Sequence, residues 1–334
     1  MSKLIKAVLS EPLDKGSQLQ KVEVQQLVGK KGPYLQFSFQ RGTQVFHENY
    51  PVELGMKKLD ELTPLFKKVT KKEGEGDIPS HNRTKQHPFP EDKVHPFLQA
   101  LGVQDKQGKI PYSQRDKFTQ INHFITLADP LLQAIPQPKI VDFGCGKGYL
   151  TLALHAHLKG KCEIVGVDRK KEVMEKLNGV VKNLGWNNIT FVPGDIETFK
   201  PPFQTDIVVA LHACNTATDM AIEQGIDWGC KGLLVAPCCQ QELLPTLKKD
   251  DWDPLLKWGA IAEKFASLLT DAYRGEVLTA LGYKTDIAEF VDVSHTPKNL
   301  LIRAIKKHEP DPEHLDRLKN SPLQLHLLNF LRSR

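Results

Sequence analysis

The chain has 334 residues, 40% of them hydrophobic and 25% charged, with a formal net charge of +5. That is enough chain for one large domain with appendages or for two domains, in the proportions of a globular protein. No apolar run approaches the roughly twenty residues of a membrane span, and Met1–Ser10 is too short and too interrupted for a signal peptide, so a cytoplasmic protein without membrane contact is expected.

The charge is uneven. Residues 1–110 carry 18 Lys/Arg against 13 Asp/Glu, and the remainder carries 27 of each. A basic appendage in front of a neutral body suits a polyanionic partner such as RNA. Lysine pairs at 30–31, 57–58, 67–68 and 71–72 are equally compatible with a plain solvated surface. The six cysteines, 145, 162, 214, 230, 238 and 239, all lie in the region of alternating elements that begins at 139, several at or near strand ends. They read as reduced thiols rather than a disulfide framework.

In chain order, Val22 to Phe46 alternates with period two around the turn Gly29-Lys-Lys-Gly-Pro33, which predicts a hairpin or small sheet. Tyr34, Phe37, Phe39 and Phe46 suit either its core or, beside the lysines, the stacking of bases. Leu59, Leu62, Leu65 and Phe66 predict a helix over 59–69. Polar residues 71–86 predict a linker, with the basic cluster His81-Asn-Arg83-Thr-Lys85 suited to phosphate or to solvent. Ser113 to Leu132 predicts a helix capped by Ser113, with Phe118, Ile121, Phe124, Ile125 and Leu132 on its apolar face.

From 139 onward, short apolar runs alternate with helical patterns. Strands are expected near 139–143, 163–167, 189–192, 206–211 and 232–236, with helices near 171–184 and 259–281. This alternation implies a parallel sheet covered on both faces, whose ligands sit at the carboxyl ends of the strands. Thr285–Val293 and Leu300–Lys306 close it as a strand pair around His295-Thr-Pro-Lys298-Asn299. A helix is expected to start at Pro312 behind Asp311.

The chemistry concentrates at the strand ends. The first strand runs through Asp142 into Gly144, Gly146 and Gly148, then directly into a helix. Glycines allow positive φ and close approach of a ligand, and a helix start offers N–H groups to a negative group. A dinucleotide fingerprint needs G-x-G-x-x-G; here Tyr149 replaces the third glycine, and the pattern resembles motif I of class I S-adenosylmethionine (SAM) methyltransferases. Asp168 ends the second strand, placed for ribose hydroxyls. Asp195 and Ile196 end the third, where that superfamily contacts adenine, and Leu211 ends the fourth. The cofactor set is therefore Asp142, Gly144, Gly146, Gly148, Asp168, Asp195, Ile196 and Leu211.

The fourth and fifth tips read Leu211-His212-Ala-Cys214-Asn215 and Pro237-Cys238-Cys239-Gln240. Neighbouring strands bring them to one volume. His212 suits a general base in direct methyl transfer to nitrogen or oxygen, with Asn215 on a base edge. Cys214 or Cys238 suits a nucleophile, as in RNA cytosine-C5 methyltransferases. Together with Cys239 these residues contain metal-ligating types, but adjacent cysteines are poor partners on one ion, and no obligatory metal is expected. The candidate catalytic residues are His212, Cys214, Asn215 and Cys238.

The runs DFGCGKGYL, LHACNTATD, APCCQQEL, TDAYR and HTPKN together resemble one methyltransferase-like family with many bacterial members. It is related to eukaryotic methyltransferase-like 25 and to the methyltransferase part of glutathione S-transferase C-terminal domain-containing protein. The resemblance covers about residues 80–306. It departs at Asn215, where many relatives are expected to carry Asp, and the chain lacks the Asp/Asn-Pro-Pro-Tyr signature of amino-group methyltransferases. The resemblance implies SAM as cofactor and a Rossmann-like class I sheet of seven strands, the last antiparallel; the alternating stretch in front of it predicts, beside that, a small N-terminal α+β domain. The expected division is a basic β-rich domain over 1–80, a linker over 81–112, the methyltransferase domain over 113–306 and a helical appendix over 307–334. The activity expected is SAM-dependent methyl transfer, with RNA as substrate. The rivals are a small-molecule or protein methyltransferase, and an RNA-binding protein with a vestigial pocket. Three acids in the expected order argue against the last.

Overall fold

The computed structural model describes residues 3–14, 19–29, 32–41, 44–74, 87–211, 216–237, 242–290 and 300–334. The chain divides into two compact units, Met1–Gln86 and His87–Arg334.

The first unit is a five-stranded antiparallel sheet with one helix. Its elements are β1 (Lys3–Pro12), β2 (Leu19–Gly29), β3 (Gly32–Arg41), β4 (Gln44–Pro51), α1 (Val52–Leu62) and β5 (Phe66–Gly74), in the sheet order β4-β3-β2-β1-β5. Period-two alternation puts Ala7, Leu9, Val22, Val24, Leu35, Phe37 and Phe39 on one face, where they meet Leu59 and Leu62 of α1 in a closed core. Gly55 lets the helix settle: a Cβ there would lie 2.8 Å from the side chain of Leu35.

Phe37 and Phe39 are therefore core residues, while Phe46 is exposed beneath Arg41. The helix expected over 59–69 instead ends at Leu62. Thr63–Leu65 form a 3₁₀ turn, and Phe66–Gly74 is a strand paired with β1. Pro64 helps to stop the helix, since it lacks the N–H that a further α-helical turn would need, while Thr63 before it is still helical.

The opposite face of this sheet carries three aligned rows. The pairings set Lys68, Ser10, Lys21, Gln40 and Val45 in the first, and Thr70, Val8, Glu23, Ser38 and His47 in the second. Lys6, Gln25, Gln36 and Asn49 form the third. None of these side chains is buried.

The second unit begins with α2 (Pro96–Ala100) and α3 (Arg115–Ala134). Residues 87–112, expected as linker, are a folded part of it: Phe89, Phe97, Leu98, Val103 and Ile110 are buried with the apolar face of α3. The Asn122 side chain accepts a bond from the Phe89 backbone at 2.8 Å. Ser113 does not cap α3; a 3₁₀ turn over Tyr112–Gln114 leads into it, and Gln114 occupies the cap without a side-chain bond.

The alternating elements follow as β6 (Lys139–Phe143), α4 (Tyr149–His157), β7 (Glu163–Asp168), α5 (Lys171–Asn183), β8 (Ile189–Pro193), β9 (Ile207–Ala210), α6 (Thr216–Asp227) and β10 (Gly232–Val235). Then come α7 (Lys249–Leu256), α8 (Gly259–Ala280), β11 (Tyr283–Glu289), β12 (Leu300–Lys306), α9 (Pro312–Lys319) and α10 (His326–Arg332). The sheet order is β11-β12-β10-β9-β6-β7-β8, parallel except that β12 runs antiparallel to both neighbours. This is the seven-stranded arrangement the sequence led us to expect.

Adjacent strand residues alternate between two cores. Ile140, Ile164, Ile207, Val209 and Leu234 face α3, α4 and α5. Val141, Val165, Val208, Leu233 and Ile302 face α6 and α8, with Leu318, Leu328 and Leu331 of α9 and α10. Each fully buried aliphatic side chain contributes roughly 1.5–3 kcal/mol, so the two layers carry most of the stability. Gly166 of β7 is a contact point under the first core: a Cβ there would lie 2.5 Å from Phe191 and 3.1 Å from the Cys145 sulfur.

A buried ionic knot joins α6 to α8. The Arg274 guanidinium donates from Nε and Nη2 to both carboxylate oxygens of Asp219, at 2.8 and 2.6 Å. Its Nη1 donates to Asp271 at 2.8 Å, and all three residues are at most 3% exposed. The two carboxylates raise the guanidinium's pKa further despite its burial. Removing one member leaves the others charged and dry, so Arg274→Met is expected to cost about 3–5 kcal/mol. Urea unfolding followed by tryptophan fluorescence checks this; an unchanged midpoint would show the knot to be dispensable.

Candidate cofactor site

The site is the junction of β6 and α4. Asp142 is the last-but-one residue of β6. After it the chain must reverse into a helix within a few residues, and it does so with Gly144, Gly146 and Gly148 at φ of 67°, 53° and 69°. Other residues adopt that region only with strain. The turn is tied to the neighbouring strand: the N–H groups of Gly144 and Cys145 both donate to the Val167 carbonyl, at 2.8 and 3.2 Å. Gly148 stands at the helix cap, and its carbonyl accepts the Leu152 N–H. A Cβ on Gly148 would meet Leu177 at 2.9 Å, so this glycine also serves packing. At Gly146 a Cβ would meet only the Gly144 carbonyl, at 3.9 Å, which leaves open space for a ligand against the backbone.

The acids are distributed as the strand ends require. Asp168 ends β7, and its carboxylate accepts the N–H of Gly146 at 3.0 Å and of Lys170 at 3.1 Å. Those two bonds fix its orientation and leave each oxygen a second lone pair for hydroxyl donors. Asp195 stands beyond β8, 2.5 Å from the exposed guanidinium of Arg169. Ile196 packs partly buried on the second core.

Asp142 is only 3% exposed and accepts the Thr151 hydroxyl at 2.6 Å. Burial pushes its pKa up to about 7, with the charge of Asp168 adding to the rise and the Thr151 bond opposing it. A carboxyl in this state gains most from a cationic partner.

A cavity of about 190 Å³ opens at this end of the sheet. Of the residues selected from the sequence, Asp142, Gly144, Gly146 and Leu211 line it; Gly148, Asp168, Asp195 and Ile196 stand outside its wall. Lys117, Lys147 and Tyr149 also line it, and the sequence reading did not select them. The Lys117 ammonium sits 5.0 Å from the centre of the Tyr149 ring and donates to Gln120 at 2.8 Å. Burial lowers its pKa, and Lys147 lowers it further. The signal in the sequence was a lysine one turn into the helix before the first strand, off its apolar face.

The pocket thus pairs a buried acid with two lysines. That charge set fits the ammonium, sulfonium and carboxylate groups of SAM. It is unsuited to a pyrophosphate, which Asp142 would repel. A larger cavity of about 590 Å³, near His155 and Trp186, lies at the opposite end of the sheet, where β7 and β8 begin. That is the wrong end for the ligand of a parallel sheet.

His212, Cys214, Asn215 and Cys238 fall outside the described residues, as do His81–Lys85 and His295–Asn299. Cys239 also falls outside the described residues; of the three described thiols, Cys162 and Cys230 are buried packing groups and Cys145 borders the cavity. Burial raises Cys162 and Cys230 to about 12 and pushes Cys145 higher still, so none is a nucleophile at neutral pH. Among the described residues, no cluster of His, Cys, Asp and Glu has the grouping of a metal site, and no helix is long and apolar enough to cross a membrane.

Residues 116–246 match a family model described as a methyltransferase domain. Glutathione S-transferase C-terminal domain-containing protein of Mus musculus is 33% identical over 154 residues, which is 46% of this chain and 23% of that protein. The Homo sapiens protein of the same name is 32% identical over the same shares. The chain therefore spans under a quarter of the length of these relatives. A SAM-dependent methyltransferase from Aquifex aeolicus aligns with a TM-score of 0.39 and 14% identity, over 64% of this chain and 100% of its own. The matched segment, residues 116–246, is similar to a methyltransferase domain and holds the glycine turn and all three strand-end acids.

Proposed function

We propose that the protein methylates RNA by direct transfer from SAM. The observation that carries the RNA reading is the charge division: the lysine surplus lies in the first 110 residues, which hold a separately folded sheet, while the methyltransferase unit is close to neutral.

When bound, the cofactor supplies an electrophilic methyl group on a sulfonium sulfur. In this reading Asp142 faces its cationic part, and Lys117 and Lys147 face its carboxylate. Asp168 takes the ribose hydroxyls, while Asp195 and Ile196 border the adenine. Gly144 and Gly146 admit the ligand against the backbone, Gly148 holds the helix start, and Leu211 closes the wall. The bond to sulfur breaks as the bond to the acceptor nitrogen or oxygen forms, and the electron pair stays on sulfur. His212 takes the proton that the acceptor loses, with Asn215 orienting it. The protein's part is chiefly alignment. Cys214 and Cys238 serve as contacts of the acceptor rather than as nucleophiles.

Nucleoside mass spectrometry of total RNA from a strain lacking the protein checks the acceptor, with loss of one methylated nucleoside expected. An unchanged RNA profile would transfer the reading to a small-molecule or protein acceptor. RNA carrying 5-fluorocytosine is expected to form no covalent adduct; a trapped adduct would make Cys214 or Cys238 a nucleophile.

Calorimetry checks the cofactor contacts. Asp168→Ala is expected to weaken SAM binding by about 1.5–3 kcal/mol, the range for a hydrogen bond to a charged group. Asp168→Asn keeps an acceptor for the Gly146 N–H and separates loss of charge from loss of the turn.

Asp142 predicts a pH effect. The folded protein holds its proton up to about pH 7, whereas the unfolded chain releases it near pH 4. The folded state therefore binds more protons in that window, and stability falls as pH rises through it. Asp142→Asn is expected to raise the melting temperature most above pH 7 and hardly at all near pH 4. A cation beside Asp142 favours the ionised form, so SAM affinity is expected to increase between about pH 5.5 and 7 in the wild type and to stay flat in Asp142→Asn. Identical pH profiles would remove Asp142 from the contact.

A further inference from the structure

The outer face of the N-terminal sheet is polar over its three aligned rows, and no described side chain on those rows is buried. Its lysines are segregated: Lys6, Lys21 and Lys68 stand on the β5-β1-β2 side, whereas amides and hydroxyls stand on both sides, as Ser10, Gln25 and Thr70 there and Gln36, Ser38 and Gln40 on β3. Glu23 lies between Lys6 and Lys21, 3.2 and 2.6 Å from their ammonium groups, and holds both on this face. Lys68 is 69% exposed, with Glu11 at 3.7 Å.

We propose that this face binds base-paired RNA through its sugar-phosphate backbone. The inference rests on RNA as the acceptor class and adds where, and in what form, RNA is held. Three ammonium groups within two rows complement phosphates. Amides and hydroxyls beside them complement phosphate oxygens and 2′-hydroxyls, the groups a helical RNA displays across its shallow groove. Unpaired bases are instead held by stacking on aromatic rings; these three rows contain no Phe, Tyr or Trp, and their one ring, His47, is hydrogen-bonded to Ser38 at 3.0 Å. Phe37 and Phe39 point into the core. Tyr34 stands one row beyond, opposite Leu27 and Pro51, and is already engaged in a contact of its own. Five strands at about 4.8 Å spacing make a surface roughly 20 Å across, broad enough to meet the backbone on both sides of a groove.

The test uses the full chain and fluorescence anisotropy over a salt series. An RNA hairpin is compared with an unstructured strand of the same base composition. The hairpin is expected to bind more tightly, with a steep salt dependence. Lys6→Gln with Lys68→Gln is expected to lower the salt slope by about 2, or about 1 per lysine, and the affinity at low salt by about tenfold. Lys57→Gln, on α1 over the inner face, is expected to change neither. Circular dichroism and SAM calorimetry, both unchanged in the variants, exclude a folding defect. Tighter binding of the single strand, an unchanged slope in the double variant, or an equal loss in Lys57→Gln would overturn the proposal. A protein that binds SAM and methylates RNA, yet does not bind the hairpin, would overturn this face alone. An unchanged nucleoside profile with the hairpin still bound would overturn the acceptor reading alone.

Discussion

Two amide groups, those of Gly144 and Cys145, converge on one carbonyl, Val167, at the end of the next strand. That convergence is the constraint on which the site depends. It fixes the turn to β7 before any ligand arrives, and the adjacent Asp168 carboxylate takes the Gly146 N–H from the same strand end. The Thr151 hydroxyl reaches back from α4 to Asp142 and ties the helix to the strand that precedes it. Turn, helix and two acids are thus one hydrogen-bonded unit, and a ligand entering it need not pay to order a loop.

The segments that follow β9 and β10 are secured in another way. Both strand tips that bear the candidate catalytic residues are followed at once by anchored segments. After 212–215 comes α6, whose Asp219 is held by Arg274. After 238–241 comes Glu242, which accepts the backbone N–H of His326 and lies within the field of Asp219 and Arg274. His326 in turn lies 3.0 Å from Glu223 on α6. The TDAYR run is therefore explained by architecture: its Asp271 and Arg274 clamp α8 onto α6 and do not line the cofactor cavity. Buried ion pairs are weak sources of stability, and this one is better understood as fixing which helix face meets which.

Much of the second unit was legible because its strands are buried on both faces. Ile140-Val141, Ile164-Val165 and Ile207-Val208 are continuous apolar pairs, which only a doubly covered sheet accommodates. The glycines and acids were legible because the turn tolerates few alternatives. Three things were not. The first strand, Lys3–Pro12, mixes lysines into its alternation and resembles a polar terminus until β2 and β5 flank it. Residues 87–112 contain prolines and charges, yet Phe89, Phe97, Leu98, Val103 and Ile110 insert under α3, a tertiary fact with no local signature. Lys117 and Lys147 acquire meaning only when α3 and the glycine turn meet at one cavity.

Gly166 links the end of β8 to the glycine turn. Its missing side chain is the space occupied by Phe191, and the Cys145 sulfur lies close by. No side chain can be added at 166 unless the aromatic ring shrinks or moves, and moving it disturbs the end of β8 that leads to Asp195. The bare position at 166 and the ring at 191 are therefore one packing choice rather than two, and a substitution at either is felt both at the glycine turn and at the end of β8.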